Sequence, residues 1–119
     1  MSDEGATVLL VEGDPESGRG LLAFLEERGH AAEWADSLEK AYNRIDAQPY
    51  DVIVANLKMQ RGPVMRLMTV ARDRNPDVCV IFITDERSAP LAVEAMRQGA
   101  YDFEVRPVNL ERLDAVIRR

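Results

Sequence analysis

The sequence of 119 residues is poor in the residue types on which several kinds of chemistry depend. It has one cysteine, Cys79, so no intrachain disulfide can form. Between Val78 and Val80 that thiol reads as a small apolar packing residue, in keeping with a reducing compartment. It has one histidine, His30. Beside Gly29 this residue reads as a surface turn with no partner for metal or acid–base work, and no Ser-His-Asp or Cys-His arrangement can be built on it. Positive charge is in deficit, with 15 Lys and Arg against 21 Asp and Glu and a net charge of −6. That balance argues against direct nucleic-acid binding and against docking on anionic membranes. No apolar run approaches the roughly 18 residues of a membrane span. The first residues carry no signal-peptide pattern, so a cytoplasmic location is expected. No G-x-G-x-x-G follows an apolar run, which removes a dinucleotide enzyme. The stretch Gly13 to Gly20 imitates a phosphate loop only in spacing: Asp14 and Glu16 would repel phosphate, and Pro15 has no N–H to donate.

What remains is an ordinary globular composition, 46% hydrophobic and 30% charged. A chain of this length buries roughly two-thirds of its unfolded surface and needs no staples. One domain over 1–119 is expected, with 1–6 a loose lead-in. The stop at Arg118-Arg119, inside or at the end of a helix, suggests a domain taken from a longer protein. Apolar runs and helical stripes alternate along it. Strands are expected at Thr7–Val11, His30–Ala35, Val52–Ala55, Val78–Ile83 and Tyr101–Val105. The helix after the first strand starts at Asp14 as N-cap with Pro15 in first position, and runs to Arg28 before Gly29. Asp36 or Ser37 caps the next, whose stripe is Leu38, Ala41, Tyr42 and Ile45. Val64, Leu67, Met68 and Ala71 mark the third and Pro90–Gln98 the fourth. Asn109 caps the last, which carries Leu110, Leu113, Val116 and Ile117. Such regular alternation predicts an α/β fold: a single doubly wound (βα)5 domain, with a parallel five-stranded sheet and helices on both faces.

The third strand ends abruptly in polar Asn56, where an α/β sheet gathers its chemistry. A carboxylate there could act as a nucleophile; an amide cannot.

Read together, several motifs resemble the receiver domains of two-component response regulators over nearly the whole chain. They are Val8 to Glu16, Pro49 to Met59, Ile83-Thr84, Ala92 to Phe103 and Arg106-Pro107. The Gly99 to Phe103 phrasing is most similar to receivers placed ahead of enhancer-binding transcription activators. The resemblance implies a flavodoxin-like fold and a non-enzymatic signalling role. It also implies a phosphorylation site at the strand C-termini, served by a sensor histidine kinase. In that family an Asp ending the third strand accepts the phosphoryl group, and an acidic pair after the first strand joins it in holding Mg2+. A Thr or Ser after the fourth strand and a Lys after the fifth read the phosphate, and an aromatic residue in the fifth strand changes rotamer.

This chain departs at most of those positions. The phosphoacceptor position is Asn56, and the acidic pocket is Glu12 and Gly13, with Asp14 nearby. The Lys position is Arg106, the Pro expected after Met59 is Gln60, and Arg61-Gly62-Pro63 matches poorly. Thr84 and an aromatic Phe103 are kept. With carboxylates missing at 13 and 56 the Mg2+ site is expected to be lost, and no other cofactor is implied. An engineered block at 56 alone would leave Gly13 and Arg106 unexplained, so the changes read as natural and concerted. Arg106 is expected to pair with Glu12 or to bond the Asn56 carbonyl, and Thr84 to bond Asn56. The expected function is a pseudo-receiver that is not phosphorylated at the usual position and works through contacts with a histidine kinase, another signalling protein, an attached output domain or a second copy. Those contacts would run through helix four, strand five and helix five, with Arg87, Leu91, Glu94, Arg97 and Glu104 as candidates. The competing reading keeps phosphorylation or metal binding through Glu12 or Asp14. Plainer roles stand beside these: a helix cap at Asp14, a solvated loop acid at Glu12, a turn cap at Thr84, a static ring at Phe103, and packing at Trp34 and Tyr42.

Overall fold

The computed structural model describes residues 5–59, 64, 66–84 and 89–118. Among these, strands and helices alternate as β1 Thr7–Val11, α1 Pro15–Glu27, β2 Ala31–Ala35, α2 Leu38–Ala47, β3 Val52–Asn56, α3 Arg66–Arg74, β4 Cys79–Thr84, α4 Ala89–Arg97, β5 Asp102–Val105 and α5 Leu110–Arg118. Every strand pair is parallel, and the sheet order is β2-β1-β3-β4-β5. This is the doubly wound (βα)5 architecture that the alternation predicts.

The three inner strands, β1, β3 and β4, are apolar apart from their end residues because both faces of the sheet are covered there, whereas the edge strands β2 and β5 carry Glu33, Asp102 and Glu104. Successive side chains point to opposite faces. Leu9, Val11, Ile53, Ala55, Val80 and Phe82 therefore enter the core beneath α2, α3 and α4. Val8, Leu10, Val52, Val54, Ile81 and Ile83 enter the core beneath α1 and α5. Helix starts follow local chemistry. The Asp14 carboxylate accepts from Ser17 N at 2.9 Å, with Pro15 in the first turn. Ser37, not Asp36, caps α2, its hydroxyl accepting from Lys40 N at 3.1 Å. Asn109 Oδ1 accepts from Arg112 N at 3.0 Å at the start of α5.

Several expectations are corrected. Helix α1 ends at Glu27, with Arg28 as its cap, and β2 begins after His30. Strands β3 and β4 run one residue further than expected, to Asn56 and Thr84. Tyr101 lies outside β5. Leu110, the first residue of α5, is exposed rather than on the buried stripe; Leu113, Val116 and Ile117 fill the core. Glu104, offered as a contact residue, is buried, and its carboxylate accepts from Arg112 Nε at 2.6 Å. Of the lead-in expected to be loose, Ala6 is tied down: its carbonyl accepts from Ala31 N at 3.0 Å.

Two glycines permit close packing. A Cβ on Gly18 of α1 would lie 2.1 Å from the ring of Trp34, so the indole rests directly on the helix backbone. Gly99 closes α4 at φ +98°, a left-handed position. There Arg72 of α3 donates to the carbonyls of Gln98 at 3.0 Å and Gly99 at 2.6 Å. A cation at the end of a helix is favourably placed against its exposed carbonyls.

Candidate functional site

The strand register assembles the site. Val11 of β1 sits beside Ala55 of β3, so the next residues, Glu12 and Asn56, are neighbours at the carboxyl edge of the sheet. Thr84 ends β4 opposite Val105, and Arg106 follows at once. The Arg106 N–H donates to the Thr84 carbonyl at 2.8 Å, which fixes where the arginine leaves the sheet.

Glu12 is the centre of the cluster. Its side chain is 2% exposed, which excludes the solvated loop acid. Oε2 accepts from Asn56 Nδ2 at 2.9 Å and from Asp14 N at 3.1 Å. Oε1 accepts from Ser17 Oγ at 3.2 Å and from Arg106 Nη2 in a close ion pair. A carboxylate offers about four lone-pair positions. All are taken by these donors. Of the two pairings expected for Arg106, the structure has the one with Glu12. Arg106 Nη1 also donates to Ser17 Oγ at 2.8 Å, so the hydroxyl links guanidinium to carboxylate. A buried carboxylate stranded without partners would be costly, and here it is paired and fully hydrogen-bonded.

Both ends of the Asn56 amide are engaged. While Nδ2 faces Glu12, Oδ1 accepts from Lys58 N at 2.9 Å, a local turn contact that orients the side chain. Asp14 serves as the α1 cap. Thr84 is buried at the tip of β4. Phe103 is half-buried against the core beneath α2, α3 and α4. Gly13 has room beside it: a Cβ there would meet Asp36 O at 3.7 Å and Met59 Cε at 3.9 Å, ordinary contact distances, and no left-handed φ demands glycine. The cluster opens onto a cavity of about 470 Å³ whose rim includes Gly13, Asp14, Asp36, Asn56 and Lys58. Asp36 is ion-paired with Lys40 at 3.1 Å. Residues 60–63 and Arg87 lie outside the described residues.

Sequence reasoning missed three members of this neighbourhood. Ser17 bridges Arg106 and Glu12; its place in the first turn of α1, directly after the loop that carries Glu12, was the available signal. Trp34 does more than pack: its Nε1 donates to the Glu12 carbonyl at 2.8 Å. Asp36 lines the cavity, where its place after β2 in the sheet order puts it.

The receiver domain of response regulators, as a family, matches residues 8–118. The C4-dicarboxylate transport transcriptional regulatory protein DctD of Pseudomonas aeruginosa is 33% identical over 98% of this chain and 25% of its own length. The nitrogen assimilation regulatory protein NtrX of Azorhizobium caulinodans is 27% identical over 94% of this chain and 25% of its own length. The chain thus spans about a quarter of the length of these relatives. Among solved structures, the beryllofluoride-activated NtrC4 receiver domain dimer superposes with a TM-score of 0.85 at 32% identity, covering 94% of this chain and 93% of that one. Sequence, fold and the placement of residues 12, 56, 84 and 106 at one sheet edge converge: this chain belongs to the response regulator receiver domain family.

Proposed function

We propose that this receiver carries signals through protein–protein contacts and accepts no phosphoryl group at Asn56. The observation that carries the reading is the closed hydrogen-bond circuit around Glu12. The Asn56 amide is not a nucleophile toward phosphoryl donors, and its N–H is turned toward the buried Glu12 carboxylate. Arg106 supplies next to Glu12 the positive charge that a divalent ion would supply in the family. Mg2+ favours carboxylate oxygens in near-octahedral array. Gly13 offers none, Asn56 presents an N–H, Glu12 has its lone pairs engaged, and Asp14 is committed to the α1 cap. These residues do not fit the ion.

The same engagement weighs against Glu12 or Asp14 as an alternative acceptor. The domain would work in the cytoplasm as a module of a longer regulator, partnered by a histidine kinase, another signalling protein or an attached output domain. The face formed by α4, β5 and α5 suits such contacts. Glu94 and Arg97 are exposed there, and so are the apolar Val93, Met96 and Tyr101, which is a stronger apolar signature than the charged candidates alone. A second copy is a candidate occupant, as in the dimeric NtrC4 receiver.

The test combines amide chemical shifts with intact mass. Mg2+ with beryllofluoride should leave the resonances around Asn56 and Thr84 in place. Acetyl phosphate should add no mass. Shifts at those residues, or a phosphoryl adduct, would overturn the reading. Mapping an adduct to Glu12 or Asp14 would establish the competing one.

A further inference from the structure

His30 is neither at the surface nor without a partner. Its side chain is completely buried, and Nε2 lies 2.7 Å from Asp114 Oδ1. The partner stands 84 residues away in sequence, on α5, beyond the reach of any local pattern. On its other side, Nδ1 accepts from Ala6 N at 3.0 Å. A backbone N–H can only donate, so Nδ1 holds a lone pair and the ring proton is on Nε2, directed at Asp114. One neutral tautomer satisfies both contacts.

The groups facing the ring come from three elements. Helix α5 presents Asp114, whose Oδ2 accepts from Arg118 Nε at 3.2 Å. The end of α1 presents Arg28, which donates to the same Oδ2 at 3.2 Å and to Glu111 at 2.6 Å. Among the described residues, the chain entering β1 presents the Ala6 N–H.

We propose that His30 is a proton-controlled latch between the segment entering β1 and helix α5. When the ring takes up a proton at Nδ1, that nitrogen becomes a donor facing a donor, and the bond to Ala6 is lost. The bond from Nε2 to Asp114 persists as an imidazolium–carboxylate pair. Protonation therefore releases the Ala6 N–H while keeping the ring on α5, and leaves the Ala6 carbonyl bonded to Ala31 N. This buried pair lies at the opposite edge of the sheet from Glu12 and does not depend on the reading of that site.

The experiment uses the whole chain, labelled with 15N. Long-range correlations report the His30 tautomer and its titration, and hydrogen exchange reports amide protection at Ala6 and along α5 over the same pH range. The expected result is the Nε2–H tautomer in the neutral ring. On protonation, protection of the Ala6 amide should fall roughly tenfold, the scale of one net hydrogen bond, while Val116 and Ile117 keep theirs. In His30→Gln, which offers a neutral donor and acceptor, Ala6 protection should no longer change with pH. An Nδ1–H tautomer, a ring that stays neutral until the protein unfolds, or Ala6 protection that ignores the titration would each overturn the latch.

Discussion

Glu12 and Asp114 are buried carboxylates at opposite edges of one sheet, and they are held in different ways. Glu12 sits at the carboxyl edge and accepts one guanidinium, one hydroxyl, one side-chain amide and one backbone N–H. Asp114 accepts two guanidinium groups and an imidazole. The first set draws together the ends of β1, β3 and β5, where the family keeps its chemistry. The second ties α1, β2 and α5, where it keeps none. Burial pushes the Asp114 carboxyl up, but hydrogen bonds from His30 and Arg118 and the Arg118 charge outweigh it, leaving the group below its ordinary 3.8. The lesson is that a buried acid is not in itself a sign of function. What distinguishes Glu12 is its place in the strand register, not its burial.

The comparison can be broken most forcefully at Asp114. Asp114→Ala strands the buried imidazole of His30 and takes an acceptor from the partly exposed Arg28 and Arg118, and should cost about 3 kcal/mol, read from urea unfolding. Because the folded carboxyl is depressed, its contribution is present above 3.8 and is lost as pH falls through the lower folded value. Asp114→Asn should therefore flatten that part of the acid limb. Next comes the packing behind Glu12. Gly18→Ala would drive a methyl into Trp34 and should cost about 2 kcal/mol, with a change in indole fluorescence. A smaller loss, on the order of 1 kcal/mol, is expected for Asn56→Asp, which sets a second carboxylate against Glu12. The folded variant should bind a proton more tightly than the unfolded chain does. Its deficit should then be greatest at neutral pH and shrink in acid, the opposite trend to Asp114. The smallest effect is expected for Gly13→Ala. With room for the methyl and no left-handed backbone, it should stabilise by roughly 0.5 kcal/mol through the unfolded chain. A destabilised variant at 13 would show that the pocket's geometry, and not only its charge, depends on glycine.

The two clusters also differ in how far the sequence exposed them. Periodicity and caps placed every strand and helix within a residue or two, because each rests on neighbours along the chain: Asp14 before Pro15, Gly29 and Gly99 after helices. Glu12, Asn56 and Arg106 became visible as a set only through resemblance to receivers, since nothing local ties residue 12 to residue 106. Their concerted departure suggested the pairing that the structure contains. His30 and Asp114 had no such guide. A lone histidine beside a glycine looks like a turn until the fold brings α5 against it. Glu104 failed for a related reason: alternation sends an edge-strand acid outward, but the half-exposed Arg112, eight residues on, lies against it as a partner.

The Arg72 clamp has a mechanical consequence. It pins the last carbonyls of α4 to α3, at the residue where the helix turns into the approach to β5. A displacement of α4 would therefore be a swing about Gly99 rather than a translation, with its amplitude growing toward Ala89. The exposed Val93, about midway along the helix, would travel further than Met96 near the pivot. A partner pressing on that helix would work against a lever whose fulcrum is the Arg72 guanidinium together with the Tyr101 N–H bonded to the Val80 carbonyl at 2.7 Å.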